Sequence, residues 1–384
     1  MTRFLPLLLV CACAGSLADH SGNGGGPCPD GKLKCVGGCC DATALSAGTS
    51  HTCAVAGEEA WCWGSNDQGQ LGRAGAKSSY QPVRAGVPGT VSDIAAGATH
   101  TCAVAGGEVF CWGDNTYGQL GNGTTTNNAT PQRVAGLSGV ALLAAGGGHT
   151  CAATATKMYC WGRDDFGQVG NGGTLGEQHF EPTEVIGVSA PLKIAAGDAH
   201  TCAATSSQVL CWGQNAAGQL GTGAAGPASS TPGTVSQPLS ASFLGLGANY
   251  SCAVASGDLF CWGENSSMQL GVSASGNQPS PQDVMSNVEE VVAGIAHTCA
   301  LRSTSHALRC WGLNDSGQRG SGGGDEEHGN VFSSGVVAVA AGANHTCAVA
   351  AGNLSCWGSN VSGQLGADPT TTPSTDTPTN VSGR

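Results

Sequence analysis

Short apolar runs alternate along this chain with pairs of small or polar residues. Thr101 to Ala105 is one such run; Gly106-Gly107 and Glu108 interrupt it, and Val109-Phe110-Cys111-Trp112 follows. Two short runs flanking a Gly-Gly pair predict a β-hairpin, because a two-residue turn needs the positive φ that glycine supplies. No 3.6-residue apolar period persists for a dozen residues, so the pattern predicts strands and not helices.

The pattern recurs. His-Thr-Cys-Ala begins at His51, His100, His149, His200, His297 and His345, and Tyr250-Ser251-Cys252-Ala253 fills the one gap. Each copy is followed by Cys-Trp-Gly, with Trp at 63, 112, 161, 212, 262, 311 and 357. Gly-Gln-Leu-Gly comes next, complete at 69–72, 118–121, 218–221 and 363–366 and altered at Val169, Met268 and Arg319. Seven units of about 49 residues span 41–384, and strand-rich units of 40 to 50 residues are propeller blades. The expected fold is all-β, a seven-bladed β-propeller. Residues 377–383 match 130–136, which precede a strand of the next unit, and 42–48 match 141–147. The N-terminal strand is therefore expected to join the last blade and close the ring, leaving no open sheet edge.

Cysteine changes the picture, at 20 of 384 residues. Fourteen form seven pairs, one per unit: Cys53/Cys62, Cys102/Cys111, Cys151/Cys160, Cys202/Cys211, Cys252/Cys261, Cys299/Cys310 and Cys347/Cys356. A turn at Gly106-Gly107 sets Ala105 opposite Glu108 and hence Cys102 opposite Cys111. That is a non-hydrogen-bonded site, where Cα atoms approach to about 4.5 Å, at the short end of disulfide geometry. Cys299/Cys310 is two residues longer, and a four-residue turn, Ser303 to His306, keeps the same pairing. Zinc is the rival reading. It is disfavoured because the paired spacing lacks a tight Cys-x-x-Cys chelate. Cys28, Cys35, Cys39 and Cys40 predict a small knot before the first blade, with three connectivities open.

The first residues read as an export signal. Met1-Thr2-Arg3 is a positive start, Phe4 to Val10 is apolar, and small residues follow. Residues 1–18 are read as a signal peptide; in the alternative reading, Val10-Cys11-Ala12-Cys13 is a lipobox with lipid on Cys13. Residues 19–40 form a Gly-rich tether and the Cys-rich knot. An oxidising compartment, the cell envelope or the extracellular space, suits so many cysteines.

Composition narrows function. Net charge is −12 and only 10% of residues are charged, which disfavours nucleic acid as a partner. Gly-x-Ser-x-Gly, the P-loop and His-Glu-x-x-His are absent, so no catalytic site is assigned. Asp164-Asp165 and Asp114-Asn115 lack the spaced carboxylates of a calcium loop. No cofactor or metal is expected. The repeated His and Trp read as packing and hydrogen-bonding elements between blades.

The motifs resemble the RCC1 repeat family: Gly-x-x-His-Thr, Trp-Gly-x-Asn and Gly-Gln-Leu-Gly, repeated over nearly the whole chain. The resemblance implies a seven-bladed propeller, and the Cys pair per unit departs from its eukaryotic members. The functional expectation is an exported bacterial binding or scaffold propeller, monomeric, with an unidentified protein partner and no enzymatic activity. Guanine-nucleotide exchange on a Ran-like GTPase is what the eukaryotic members imply, but the export signal and the lack of a basic tail weigh against it. A propeller-borne hydrolase is the third reading, disfavoured by the lack of an acid/base pair. Specificity is expected where units differ, in the loops 175–181, 224–231 and 322–329. Asp325, Glu326 and Glu327 are the candidate contacts for a basic partner.

Overall fold

The Gly106-Gly107 turn joins strands His100–Ala105 and Glu108–Gly113, with Ala105 opposite Glu108 and Cys102 opposite Cys111. Both glycines take positive φ, +60° and +77°, as a tight hairpin requires. The computed structural model describes residues 28–35, 38–75, 77–237, 240–320 and 329–382; among these it contains strands and no helix. The signal region, Cys13 and Asp325 to Glu327 lie outside the described residues.

Blade 1 consists of Ala42–Ala47, His51–Ala56, Glu59–Gly64 and Ser79–Arg84, antiparallel and in that spatial order. Six more four-stranded sheets repeat the order over 91–133, 142–189, 193–234, 241–286, 288–332 and 336–380. The first strand of each blade lines a central channel. One face carries the turns after the inner strands and the loops after Gly-Gln-Leu-Gly. The opposite face carries the hairpin turns, two residues long except in blade 6, where Ser303 to His306 form the turn.

Each repeated motif serves the joint between neighbouring blades. The carbonyl of Gln70 in blade 1 accepts hydrogen bonds from Trp112 Nε1, at 2.8 Å, and Thr101 Oγ1, at 2.9 Å, in blade 2. Because the Thr101 hydroxyl donates to Gln70, it accepts from His51 Nε2 at 2.9 Å. The same trio recurs at each joint, with Ser251 for Thr in blade 5 and Tyr250 for His at the next. Gly48 admits the imidazole: a Cβ there would lie 2.4 Å from His51 Cε1. Within each blade, Asn orders the turn, as where Asn115 Oδ1 accepts from Leu120 N at 2.9 Å. The core is accordingly seven inter-blade clusters, such as Val55, Leu71, Ile94, Phe110 and Trp112.

The structure corrects the expected closure. Ala42–Ala47 does not enter the last blade; it pairs with His51–Ala56 as the inner strand of blade 1. Blade 7 supplies all four of its own strands, ending with Ser374–Asn380. A partner a few residues away costs far less loop-closure entropy than one at the other end of the chain. The ring instead closes through the ordinary joint: His345 Nε2 meets Thr52 Oγ1 at 2.8 Å, and Trp63 Nε1 donates to Gln364 O at 2.9 Å. The N-terminal segment then covers the seam. Gly31 N donates to Val381 O at 2.7 Å, Leu354 N donates to Gly31 O at 3.0 Å, and Lys32 pairs with Asp41. Leu33 is buried beside Leu354 and Val381.

Trp63→Ala is expected to lower unfolding free energy by about 3–5 kcal/mol, the usual cost of deleting a buried Trp. Denaturant melts read this directly. A loss below about 1 kcal/mol would mean that blades 1 and 7 do not pack in solution.

Candidate functional site: the loop face around blade 3

The cysteines belong to the frame. Bonds join Cys53–Cys62, Cys102–Cys111, Cys151–Cys160, Cys202–Cys211, Cys252–Cys261, Cys299–Cys310 and Cys347–Cys356, with Cα atoms 4.1–4.2 Å apart. All fourteen are fully buried. In the N-terminal knot one bond is formed, Cys28–Cys39. Cys35 and Cys40 are thiols in the hairpin Leu33–Cys35/Gly38–Cys40. They lie side by side over Gly57, where a Cβ would come within 2.9 Å and 3.0 Å of their sulfurs. Burial and the neighbouring Cys40 push the Cys35 thiol up to about 12.

Packing also uses up the six histidines. Each is fully buried and bonded through Nε2, and each Nδ1 has no hydrogen-bond partner among the described residues. Desolvation holds His51, His149, His200 and His345 down at about 3, and His100 and His297 at about 4. Neutral, enclosed imidazoles of this kind offer nothing to a ligand or a proton-transfer reaction.

What remains for recognition is the loop face, and blade 3 dominates it. Arg163 sits 5.2 Å from the centroid of the Tyr117 ring and 6.0 Å from that of Phe166. Its Nε donates to Asp165 Oδ2 at 2.6 Å. Phe180 lies against Gly118 of blade 2, where a Cβ would be 2.4 Å from its Cδ1. Phe180 is 40% exposed and Leu175, in the adjoining loop, 47%. Tyr, Phe and Arg held in fixed stacks are the residue types that dominate binding energy at protein interfaces. Loop 175–181, singled out from sequence, contributes Leu175 and Phe180. Sequence reasoning misses Tyr117, Arg163 and Phe166, because each occupies a variable position inside a repeated turn. Aligning the seven turns column by column exposes them.

Blade 3 also departs from the Asn rule. In four other blades the Asn Nδ2 donates to carbonyls of the following loop, as from Asn265 to Ala274 O at 2.7 Å and from Asn360 to Thr372 O at 2.7 Å. Asp164 replaces it, keeps the bond from Val169 N at 2.8 Å, and leaves Oδ2 buried without a donor. His179 Nε2 lies 3.5 Å away but is engaged with Asn171 Nδ2 at 3.0 Å. Desolvation pushes Asp164 up to about 7. The fold therefore disfavours the carboxylate, and the penalty is full above pH 7 and gone below the ordinary carboxyl range. Asp164→Asn is expected to stabilise the protein by about 1–3 kcal/mol at pH 8, the advantage shrinking as pH falls toward 4. An equal or smaller melting temperature for the variant at pH 8 would refute this.

Comparison with known proteins agrees with this geometry. The description "Regulator of chromosome condensation (RCC1) repeat" matches residues 58–104, 106–153, 157–204 and 256–301. A second description of the same repeat matches 91–119, 140–168, 192–219, 288–318 and 336–364. No curated protein matches significantly. Among solved structures, yeast RCC1 (Prp20) bound to Kap60 is 22% identical with a TM-score of 0.73, covering 88% of this chain and 85% of that one. Human WBSCR16 is 22% identical with a TM-score of 0.72, covering 80% and 86%. The CRINKLY ectodomain of the Arabidopsis thaliana receptor kinase ACR4 is 20% identical with a TM-score of 0.51, covering 83% and 95%. At these identities the structural likeness speaks for the fold alone, whereas the repeat matches run through the length of the propeller: this chain belongs to the RCC1-repeat family.

Proposed function

We propose that this protein is an exported, non-enzymatic propeller that binds a protein partner through its loop face, centred on blade 3. The stacked Tyr117–Arg163–Phe166 set beside exposed Phe180 and Leu175 carries the reading. It offers rigid aromatic anchors at low entropic cost on a frame whose other repeated residues are committed to packing. Seven buried disulfides favour an oxidising compartment. The sequence between Gly320 and Gly329 adds Asp325, Glu326 and Glu327, an acidic contact that would speed association with a basic partner. Yeast RCC1 (Prp20) is a precedent for protein binding by a protein of this fold, since Kap60 is bound to it.

The test uses the folded protein as bait on envelope extract and culture medium. A partner captured by the native protein is expected to be lost by Tyr117→Ala combined with Phe180→Ala. Neutralising the three carboxylates should slow association without lowering thermal stability. Capture that survives these changes, and exchange of loops 175–181 and 224–231, would overturn the loop-face reading. Purified propeller is expected not to accelerate nucleotide release from a small GTPase; acceleration lost on heating would favour the exchange-factor reading.

A further inference from the structure

The knot that covers the seam carries chemistry that the blades do not. Cys35 and Cys40 are the two thiols among the described residues, and every other described cysteine is bonded. In their hairpin Leu33 stands opposite Cys40 and Cys35 opposite Gly38, with Lys34 opposite Cys39 between them. Side chains alternate along a strand, so Leu33, Cys35 and Cys40 share one face, and Lys34 and Cys39 the other. The first face packs into the cluster that holds Trp63, Leu354 and Val381, where blades 1 and 7 meet. The Cys28–Cys39 bond uses the second face and leaves the two thiols to each other.

Blade 1 makes room for them. Gly57 begins its hairpin turn with φ +56°. Ser256 in blade 5 and Ala351 in blade 7 take the same corner at φ +54° and +50°, so the backbone alone does not demand glycine. Gly106, the equivalent in blade 2, has nothing within 4 Å of where a Cβ would stand. At Gly57 that point meets Cys35 Sγ at 2.9 Å and Cys40 Sγ at 3.0 Å. The two sulfurs converge on one spot, so a bond between them needs the side chains to turn toward each other and no strand to change partner. Cys35 is buried and Cys40 half-buried, so a reagent in solution reaches Cys40 first. Burial pushes the Cys35 thiol up to about 12, which keeps it unreactive toward solutes.

We propose that Cys35 and Cys40 are a reactive dithiol that exchanges with a small organic disulfide to form a second bond in the knot. The Cys40 thiolate attacks one sulfur of the oxidant; the oxidant's S–S bond breaks and a first thiolate leaves. The Cys35 thiolate then attacks Cys40 Sγ, the mixed disulfide breaks and a second thiolate leaves. Two cysteines are oxidised, the oxidant is reduced to two thiols, and these take up the two protons that the cysteines gave. The new bond ties Leu33–Cys35 to Gly38–Cys40. These strands follow Gly31 and Lys32, whose contacts with Val381, Leu354, Gly352 and Asp41 hold the segment over the seam. Oxidation therefore latches the closed ring, and excess thiol releases it.

Native protein treated with oxidised glutathione tests this. Before treatment, the denatured protein takes up alkylating agent at Cys35 and Cys40. After treatment it is expected to take up none, with its mass lower by about 2 Da and peptide mapping placing the new bond between Cys35 and Cys40. Cys35→Ser is expected to stop at a stable glutathione adduct on Cys40. Cys40→Ser should react at least about tenfold more slowly, because Cys35 is enclosed. Circular dichroism that matches the native protein will verify that both variants fold. Trypsin should cut after the exposed Lys34 at least about tenfold more slowly in the oxidised protein, because the bond suppresses local opening of the segment. The proposal falls if both thiols stay open to alkylation, if the native protein stops at the adduct, or if the new bond joins other cysteines. It falls equally if oxidation leaves cleavage after Lys34 unchanged.

Discussion

Acidification from pH 7 to about pH 4 is expected to unfold this propeller cooperatively, with the buried histidines as the main cause. Six imidazoles are locked neutral in the inter-blade joints, held at about 3 or 4 by desolvation. In the unfolded chain they return to the ordinary value near 6.5. A group whose folded pKa is depressed contributes stability that is complete above its unfolded pKa and is lost as pH falls toward the folded one. The window here therefore runs from about 6.5 down to about 3. At pH 5 each His costs about 2 kcal/mol, and six approach ~12 kcal/mol. Asp93, Asp164 and Glu290, raised to about 6 or 7, give back part of this over the same range. By pH 4 the histidines outweigh them by about 10 kcal/mol, comparable with a whole domain's stability of ~5–15 kcal/mol. Blade 5 shows how the dependence can be relieved. Its Tyr250 hydroxyl donates to the His297 carbonyl and meets Thr298 Oγ1 at 2.9 Å without titrating in this range. His100→Tyr is expected to flatten the acid limb by about a sixth. A melting temperature that is constant between pH 7 and pH 4.5 would contradict the account.

Loss of the blade disulfides is expected to be the largest single destabilisation available. Each bond closes a loop of about ten residues, worth ~2–3 kcal/mol in the chain-entropy account. Even partial additivity over seven bonds is comparable with a typical domain's stability of ~5–15 kcal/mol. The sulfurs are fully buried, so reductant should act on the native protein only through unfolding. Protein reduced and alkylated in denaturant should fail to regain its native circular dichroism on dilution. Protein denatured without reductant should take up alkylating agent at Cys35 and Cys40 but not at the blade cysteines. In the native state Cys35 should resist alkylation near pH 8, because its thiol is pushed up to about 12. Uptake by most of the fourteen blade cysteines without reductant would show that the bonds are not present in solution.

The blade bonds are legible in the sequence because strand pairing has an arithmetic. A two-residue turn at Gly106-Gly107 fixes Ala105 opposite Glu108, and each further step inward fixes the next pair, ending at Cys102 and Cys111. The four-residue turn of blade 6 obeys the same count, with Cys299 opposite Cys310. Fold class follows from the repeats for a related reason. One blade cannot bury its Trp or satisfy its Thr and His alone, so the periodic sequence demands a neighbour on each side.

The partner of Ala42–Ala47 could not be read the same way. Its sequence resembles the start of every other blade, and sequence similarity does not say which sheet a strand joins; the short connection to His51–Ala56 does. The knot is similar: four nearby cysteines allow three pairings, and the folded segment bonds Cys28 to Cys39 and leaves Cys35 and Cys40 as thiols. The candidate recognition surface also belongs to tertiary structure. Tyr117 and Arg163 stack because a blade joint brings adjacent turns within about 5 Å. The sequence by itself determined the blade, its seven copies and the pairing inside each, because those interactions are local and repeated. The ring decided which singular residues meet, because distances between blades depend on closure and not on spacing along the chain.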